Sequence, residues 1–260
     1  MDFSDEFPTI PTRYAFDEDS DEEDLAEVVD KLVLDTIKVD LATEKSMNGY
    51  TILYGNYGPG EVFLKASFST GTKVGSIQLK DKIIASVIAS SNNSTDLAII
   101  SEEKIPDELV FAVTVALFQQ LPCTEVILFD SYLASNYITP NRQERETVPI
   151  VKYLRSSLGR KSSQLDMLSA PNLTTGISAA IMTYCELHQL PCVALFTLQE
   201  SSLGKALITD ETTAAFTTAL EDLEVACPSL DYGNLRSILR GRKFGKDSGR
   251  IDADHHRMYT

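Results

Sequence analysis

The residue sets in this chain that could do chemistry are each incomplete. Gly55, Gly58 and Gly60 are spaced G-x-x-G-x-G. A phosphate loop would follow its glycines with Lys and Ser or Thr, so that backbone N–H groups and an ammonium cradle the anion. Here Glu61 and Val62 follow, and Pro59 divides the last two glycines, which fits a turn. Cys185 and His188 stand three apart, so one helical face could carry both a thiol and an imidazole for nucleophilic catalysis. The plainer reading is two semi-buried positions on an ordinary helix. Cys185 and Cys192 have no second Cys or His pair to frame a metal ion. Gly176-Ile177-Ser178 continues into Ala179-Ala180 and completes no Gly-x-Ser-x-Gly elbow. His255-His256 lie in a polar terminal segment where nothing would orient an imidazole. No catalytic residue, cofactor or metal site is expected from these patterns.

The last three residues say more. Met258-Tyr259-Thr260 joins an apolar side chain, a tyrosine and a carboxylate at the end of a glycine-punctuated segment. Those are the parts of a docking peptide: the ring gives contact area at low entropy cost, and the carboxylate seeks a lysine or a backbone nest. Residues 241–260 are expected to form a flexible tail with a random-coil span of about 25 Å.

Charge is distributed unevenly along the chain. Thirty-eight Asp and Glu against 23 Lys and Arg give a net charge of -15. Residues 1–30 carry twelve acids and one base, Arg13, and residues 31–260 are only mildly acidic, at -4. Like charges from Asp17 to Asp24 repel and bury nothing, so a disordered acidic leader is expected over 1–30. Ser20, followed by four acids (Asp21 to Asp24), suits an acid-directed kinase. The balance argues against nucleic acid, whose phosphates need cations, and against an anionic lipid surface. The apolar run from Leu109 to Phe118 is too short to span a bilayer. The N-terminus shows no basic and apolar signal regions, so the four cysteines are expected as reduced thiols in the cytoplasm or nucleus. The glycosylation triplets at Asn92, Asn93 and Asn172 would then go unused.

At 43% hydrophobic, the body has enough apolar residues for a sizeable core. Short β-branched and apolar runs predict strands at Tyr50–Tyr54, Val62–Phe68, Val74–Leu79, Ile83–Ala89 and Leu97–Ser101, separated by turn residues. Pro106, with Asp107 and Glu108, predicts a helix start, and Pro122 its end. The strand Glu125–Phe129 follows. Ile177, Ala180, Ile181, Tyr184, Cys185 and His188 share one helical face, and Leu190-Pro191 leads into an apolar strand, Cys192–Leu198. Thr209 or Asp210 should cap a helix that turns Phe216, Ala219, Leu220 and Leu223 inward. Tyr232, Leu235, Ile238 and Leu239 mark a last helix, closed by Gly241. Residues 131–170 read as a polar excursion with one short helix near Tyr153. The alternation predicts an α/β domain, layered α/β/α, over residues 31–240.

Several stretches resemble the proteasome assembly chaperones: Ala170-Pro171-Asn172-Leu173, Ala179-Ala180-Ile181-Met182-Thr183-Tyr184-Cys185, Leu190-Pro191 before Cys192-Val193-Ala194-Leu195, and Leu207-Ile208-Thr209. The terminal Met258-Tyr259-Thr260 is similar to the hydrophobic–Tyr–any ending of proteins that dock between α-ring subunits. Residues 52–68 fit more loosely, and residues 131–170 carry little that matches. The resemblance implies a layered α/β/α fold and no enzymatic activity. It implies a heterodimer with a second, related assembly chaperone that holds proteasome α-subunits while the ring forms. Met258 would fill an apolar slot, Tyr259 would pack on the pocket wall, and the Thr260 carboxylate would meet a pocket lysine. Two other readings stay open: a small-molecule enzyme on a Rossmann-like or phosphorylase-like sheet, and a peptide-tailed regulator that docks without assembling.

Overall fold

A computed structural model describes residues 36–41, 49–91, 96–138, 150–202 and 205–243. The centre is built from the most apolar runs of the chain. Strands β2 (Tyr50–Gly55), β5 (Asp96–Ser101), β6 (Cys123–Leu133) and β9 (Cys192–Gln199) lie side by side and parallel. Leu53 sits between Ala98 and Ile127, and Leu128 beside Ala194. Such strands are apolar at consecutive positions because helices cover both of their faces.

Antiparallel strands extend the sheet at both ends. On one side stand β4 (Lys82–Ala89), β3 (Thr72–Leu79) and β1 (Ile37–Leu41). On the other stand β7 (Val151–Arg155), antiparallel to β9, and the two-residue β8 (Asp166–Met167), which pairs parallel with β7. The nine-stranded order is β1-β3-β4-β5-β2-β6-β9-β7-β8. Ser201–Ser202 (β10) and Lys205–Ala206 (β11) form a separate hairpin.

Five α-helices complete the described residues: α1 (Pro59–Ser67), α2 (Val110–Gln120), α3 (Gly176–Leu187), α4 (Asp210–Asp222) and α5 (Tyr232–Lys243). Alternate strand positions feed two cores. Ile52, Val126, Leu128 and Phe196 face α2 and α3. Leu53, Ile127, Phe129 and Leu195 face α1 and α4. This is the layered α/β/α arrangement expected from the sequence. A third, small cluster of Val62, Ala66 and Leu235 fastens α5 onto the outside of α1.

Local chemistry explains the boundaries. A 3-10 turn, Asp107–Leu109, opens α2, and after α2 only Leu121 and Pro122 precede β6. Thr209 caps α4 through a reciprocal pair: its hydroxyl accepts from the Thr212 N–H at 3.1 Å, and the Thr212 hydroxyl accepts from the Thr209 N–H at 3.1 Å. The Asp231 carboxylate accepts from the N–H groups of Gly233 (2.8 Å) and Asn234 (3.0 Å), capping α5.

Three expectations are corrected, and one strand escapes the sequence reading. Val62–Phe68 is not a strand. It lies in α1 and the turn that follows it, where Pro59 sets the first turn and every helical residue except Lys65 is buried. Tyr153 lies in strand β7, paired with Leu195, not in a helix. Strand β1 was not anticipated, although Ile37 and Val39 alternate with the exposed Lys38 and Asp40. Helix α5 passes through Gly241 to Lys243, so Gly241 does not close it, and the rest of the tail expected over 241–260 lies outside the described residues.

Candidate functional site

Helix α5 fixes the point from which residues 244–260 depart, and several contacts hold it. Leu235 is fully buried against Val62 and Ala66. The Asn234 side-chain amide donates to the Lys65 carbonyl at 3.2 Å. Near the other end, the Arg242 guanidinium donates to Glu61, whose second oxygen accepts from Lys65 Nζ at 2.8 Å. The residue Glu61 is only 3% exposed, so its carboxylate is neutralised by two cations that themselves reach solvent. Arg242 also lies over the Tyr57 ring, 5.5 Å from its centroid. Met258, Tyr259 and Thr260, the residues assigned to docking, lie outside the described residues.

The glycines Gly55, Gly58 and Gly60 form the turn from β2 into α1, with Gly58 at φ 125. A Cβ at Gly60 would stand 2.1 Å from the Phe129 carbonyl oxygen. Close approach of α1 to β6 therefore accounts for that glycine without a phosphate.

A polar cleft of about 150 Å³ lies at the carboxyl ends of β2, β6 and β9, lined by Asn56, Lys104, Asp130, Thr174 and Gly176 among others. Open α/β sheets hold ligands at that edge. Here the Asp130 carboxylate accepts from Ser178 Oγ at 2.5 Å and from the Ser131 N–H at 2.7 Å, tying β6 to the start of α3. Burial raises its pKa, opposed by the hydrogen bonds from Ser178, Ser131 and Asn56. A folded-state pKa above the unfolded one means this group favours the fold at low pH, and the favour is lost as pH rises through the folded pKa. Relative to Asp130→Asn, the wild-type chain should therefore gain stability in urea titrations as pH falls from 7 toward 4. A stability difference that stays flat over that range would refute this.

The thiols are packed rather than poised. Cys185 and Cys192 are fully buried. Cys192 Sγ lies 3.4 Å from Met182 Sδ, and its hydrogen bond with Cys185, with burial, pushes its pKa well up. Burial pushes Cys123 and Cys227 up to about 12 each. A nucleophilic cysteine needs the opposite shift. His188 is exposed, its ring 4.1 Å from that of Tyr184, which in turn stacks on Phe118 at 4.9 Å. Among the described residues no group of three or more His, Cys, Asp and Glu is placed to hold a metal. No described helix is long and apolar enough to cross a membrane.

Sequence reasoning missed the exposed apolar side chains beside the β8 edge. Met167 (52% exposed) and Leu187 (70%) line an open groove of about 530 Å³ with Met182 and Arg155. Leu187 was legible in principle, because it falls off the buried stripe of α3.

The helix–strand pairs that position these features also have relatives. The folded body is similar to Pyrococcus furiosus PbaA, described as an archaeal homolog of proteasome-assembly chaperone, with TM-score 0.56 and 12% identity over 79% of this chain and 94% of that one. It is similar to Pyrococcus furiosus PbaB, described as an archaeal proteasome activator, with TM-score 0.57 and 11% identity over 80% and 96%. At such identities the likeness shows the fold. In sequence, the chain is 39% identical over 59 residues to proteasome assembly chaperone 1 of Xenopus tropicalis, covering 23% of this chain and 21% of that protein. It is 27% identical over 116 residues to proteasome assembly chaperone 1 of Xenopus laevis, covering 45% and 39%. The matched part thus spans well under half of either relative. Residues 87–242, from β4 to the end of α5, match the family model described as Proteasome assembly chaperone 4. With more than half of its length matched in this way, the chain belongs to the proteasome assembly chaperone family.

Proposed function

We propose that this protein is a chaperone for assembly of the 20S proteasome and not an enzyme. It works in the cytoplasm or nucleus as a heterodimer with a second assembly chaperone. Together they hold α-subunits while the α-ring forms. Met258, Tyr259 and Thr260 dock in a pocket between neighbouring α-subunits: the methionine fills an apolar slot, the ring packs on the wall, and the carboxylate meets a lysine. The observation that carries the reading is the family match across residues 87–242. Support for the tail comes from α5, which is anchored to α1 through Leu235 and Arg242 and would give residues 244–260 a fixed origin. As a random coil, seventeen residues would span about 23 Å, enough to leave the body and enter a partner.

Deleting Met258 to Thr260 tests this. Co-purification with α-ring intermediates should fall by about tenfold or more, the loss of one buried aromatic anchor. The chaperone pair itself should stay intact. Unchanged ring association would remove the tail assignment, and absence of any related partner from the purified material would remove the heterodimer.

A further inference from the structure

Helix α5 is a basic element in an acidic chain. It carries Arg236, Arg240, Arg242 and Lys243 and no Asp or Glu, within a protein of net charge -15. Arg242 is engaged by Glu61 and Tyr57. Arg236 and Arg240 stand one turn apart on the exposed side and make no ion pair among the described residues. They border a cleft of about 230 Å³ that Ile208, Thr209, Asp210 and Leu239 also line. Asp210 is the one carboxylate there, so two guanidinium groups face a single acid.

We propose that this cleft binds the acidic run Asp17–Asp24 of the same chain. The run brings seven carboxylates around Ser20, flanked by Phe16 and Leu25, against a cleft that pairs two cations with Ile208 and Leu239. Length permits it. Twelve residues separate Asp24 from Ile37, the start of β1, and extended chain covers about 40 Å in that distance. Strand β1 stands four places from β2, beneath α1. That is about 20 Å across the sheet, and two packed layers outward add about 20 Å. Exposed ion pairs are individually weak. A tethered segment, however, is present at an effective concentration in the millimolar range, so a few weak pairs suffice to hold it. The leader would then cover the basic root of the C-terminal segment and keep other acidic surfaces away from it.

The test uses the full chain with p-benzoylphenylalanine in place of Phe16. On irradiation, cross-links should map within one molecule to peptides spanning Arg236–Lys243 or Ile208–Asp210. Their yield should fall about fivefold with R236E/R240E, and similarly at high salt. A second variant with the seven acids of residues 17–24 changed to Asn and Gln should show the same loss. Cross-links that map elsewhere, or that survive both variants, would overturn the proposal. Cross-linked dimers as the main product would overturn the assignment to the same chain.

Discussion

Phe216→Ala is expected to cost about 3–5 kcal/mol of stability, the range for removing a fully buried aromatic ring. Phe216 on α4 is wholly enclosed, 5.5 Å from Phe63 on α1 and 5.3 Å from Phe129 on β6, while Phe63 and Phe129 stand 5.0 Å apart. One side chain therefore joins two helices and a central strand, and its loss leaves a void bounded by two rigid rings that cannot collapse into it. At roughly 2–4 °C per kcal/mol for a domain of this size, the thermal midpoint should fall by about 10 °C. A double-mutant cycle with Phe63→Leu should show coupling of about 0.5–1.5 kcal/mol, the typical value for paired aromatics. A loss below about 1 kcal/mol in urea unfolding would mean that α4 is not part of this core.

The same trio shows what sequence could reveal. Phe216 was legible because Thr209 caps a helix whose inward stripe repeats at Phe216, Ala219, Leu220 and Leu223, all buried. Strands β6 and β9 were legible as unbroken apolar runs bounded by Pro122 and Pro191. Phe63 was misread. Helix α1 is buried on nearly every side, so no polar face marks the 3.6-residue period, and Val62-Phe63-Leu64 looks like a strand. The real signals were Pro59 at the first helical position and the Glu61–Lys65 pair one turn apart.

Strand β7 hid for the opposite reason. Lys152, its second residue, is 4% exposed, and its ammonium donates to Asp166 on β8 at 3.2 Å. A charged residue inside a serine-rich stretch reads as loop until its partner is known. The same limit applies at the candidate site. The spacing of Tyr232, Leu235, Ile238 and Leu239 marked α5 as amphipathic, and the terminal motif nominated Met258, Tyr259 and Thr260. The link between Arg242 and Glu61, 181 residues apart in sequence, is what fixes the helix, and no local pattern encodes it.

That anchoring leads to the second large effect. Leu235→Ala should cost about 2–3 kcal/mol, the lower part of the range for a buried leucine, because its cluster is small and partly open to solvent. The cost should be local. Helix α5 packs on α1 and more lightly on α4, so it can detach while the nine-stranded sheet stays folded. Amide exchange in α5 should therefore quicken by about 30- to 150-fold, with exchange in β2, β6 and β9 unchanged. Under the docking proposal, a freed α5 adds twelve residues to the tail and removes its fixed origin. Ring association should then weaken, but less than after deletion of Met258 to Thr260, because the docking residues themselves remain. A uniform rise in exchange across sheet and helices would make α5 part of the global folding unit. Unchanged exchange in α5 would mean that Leu235 does not hold it in place.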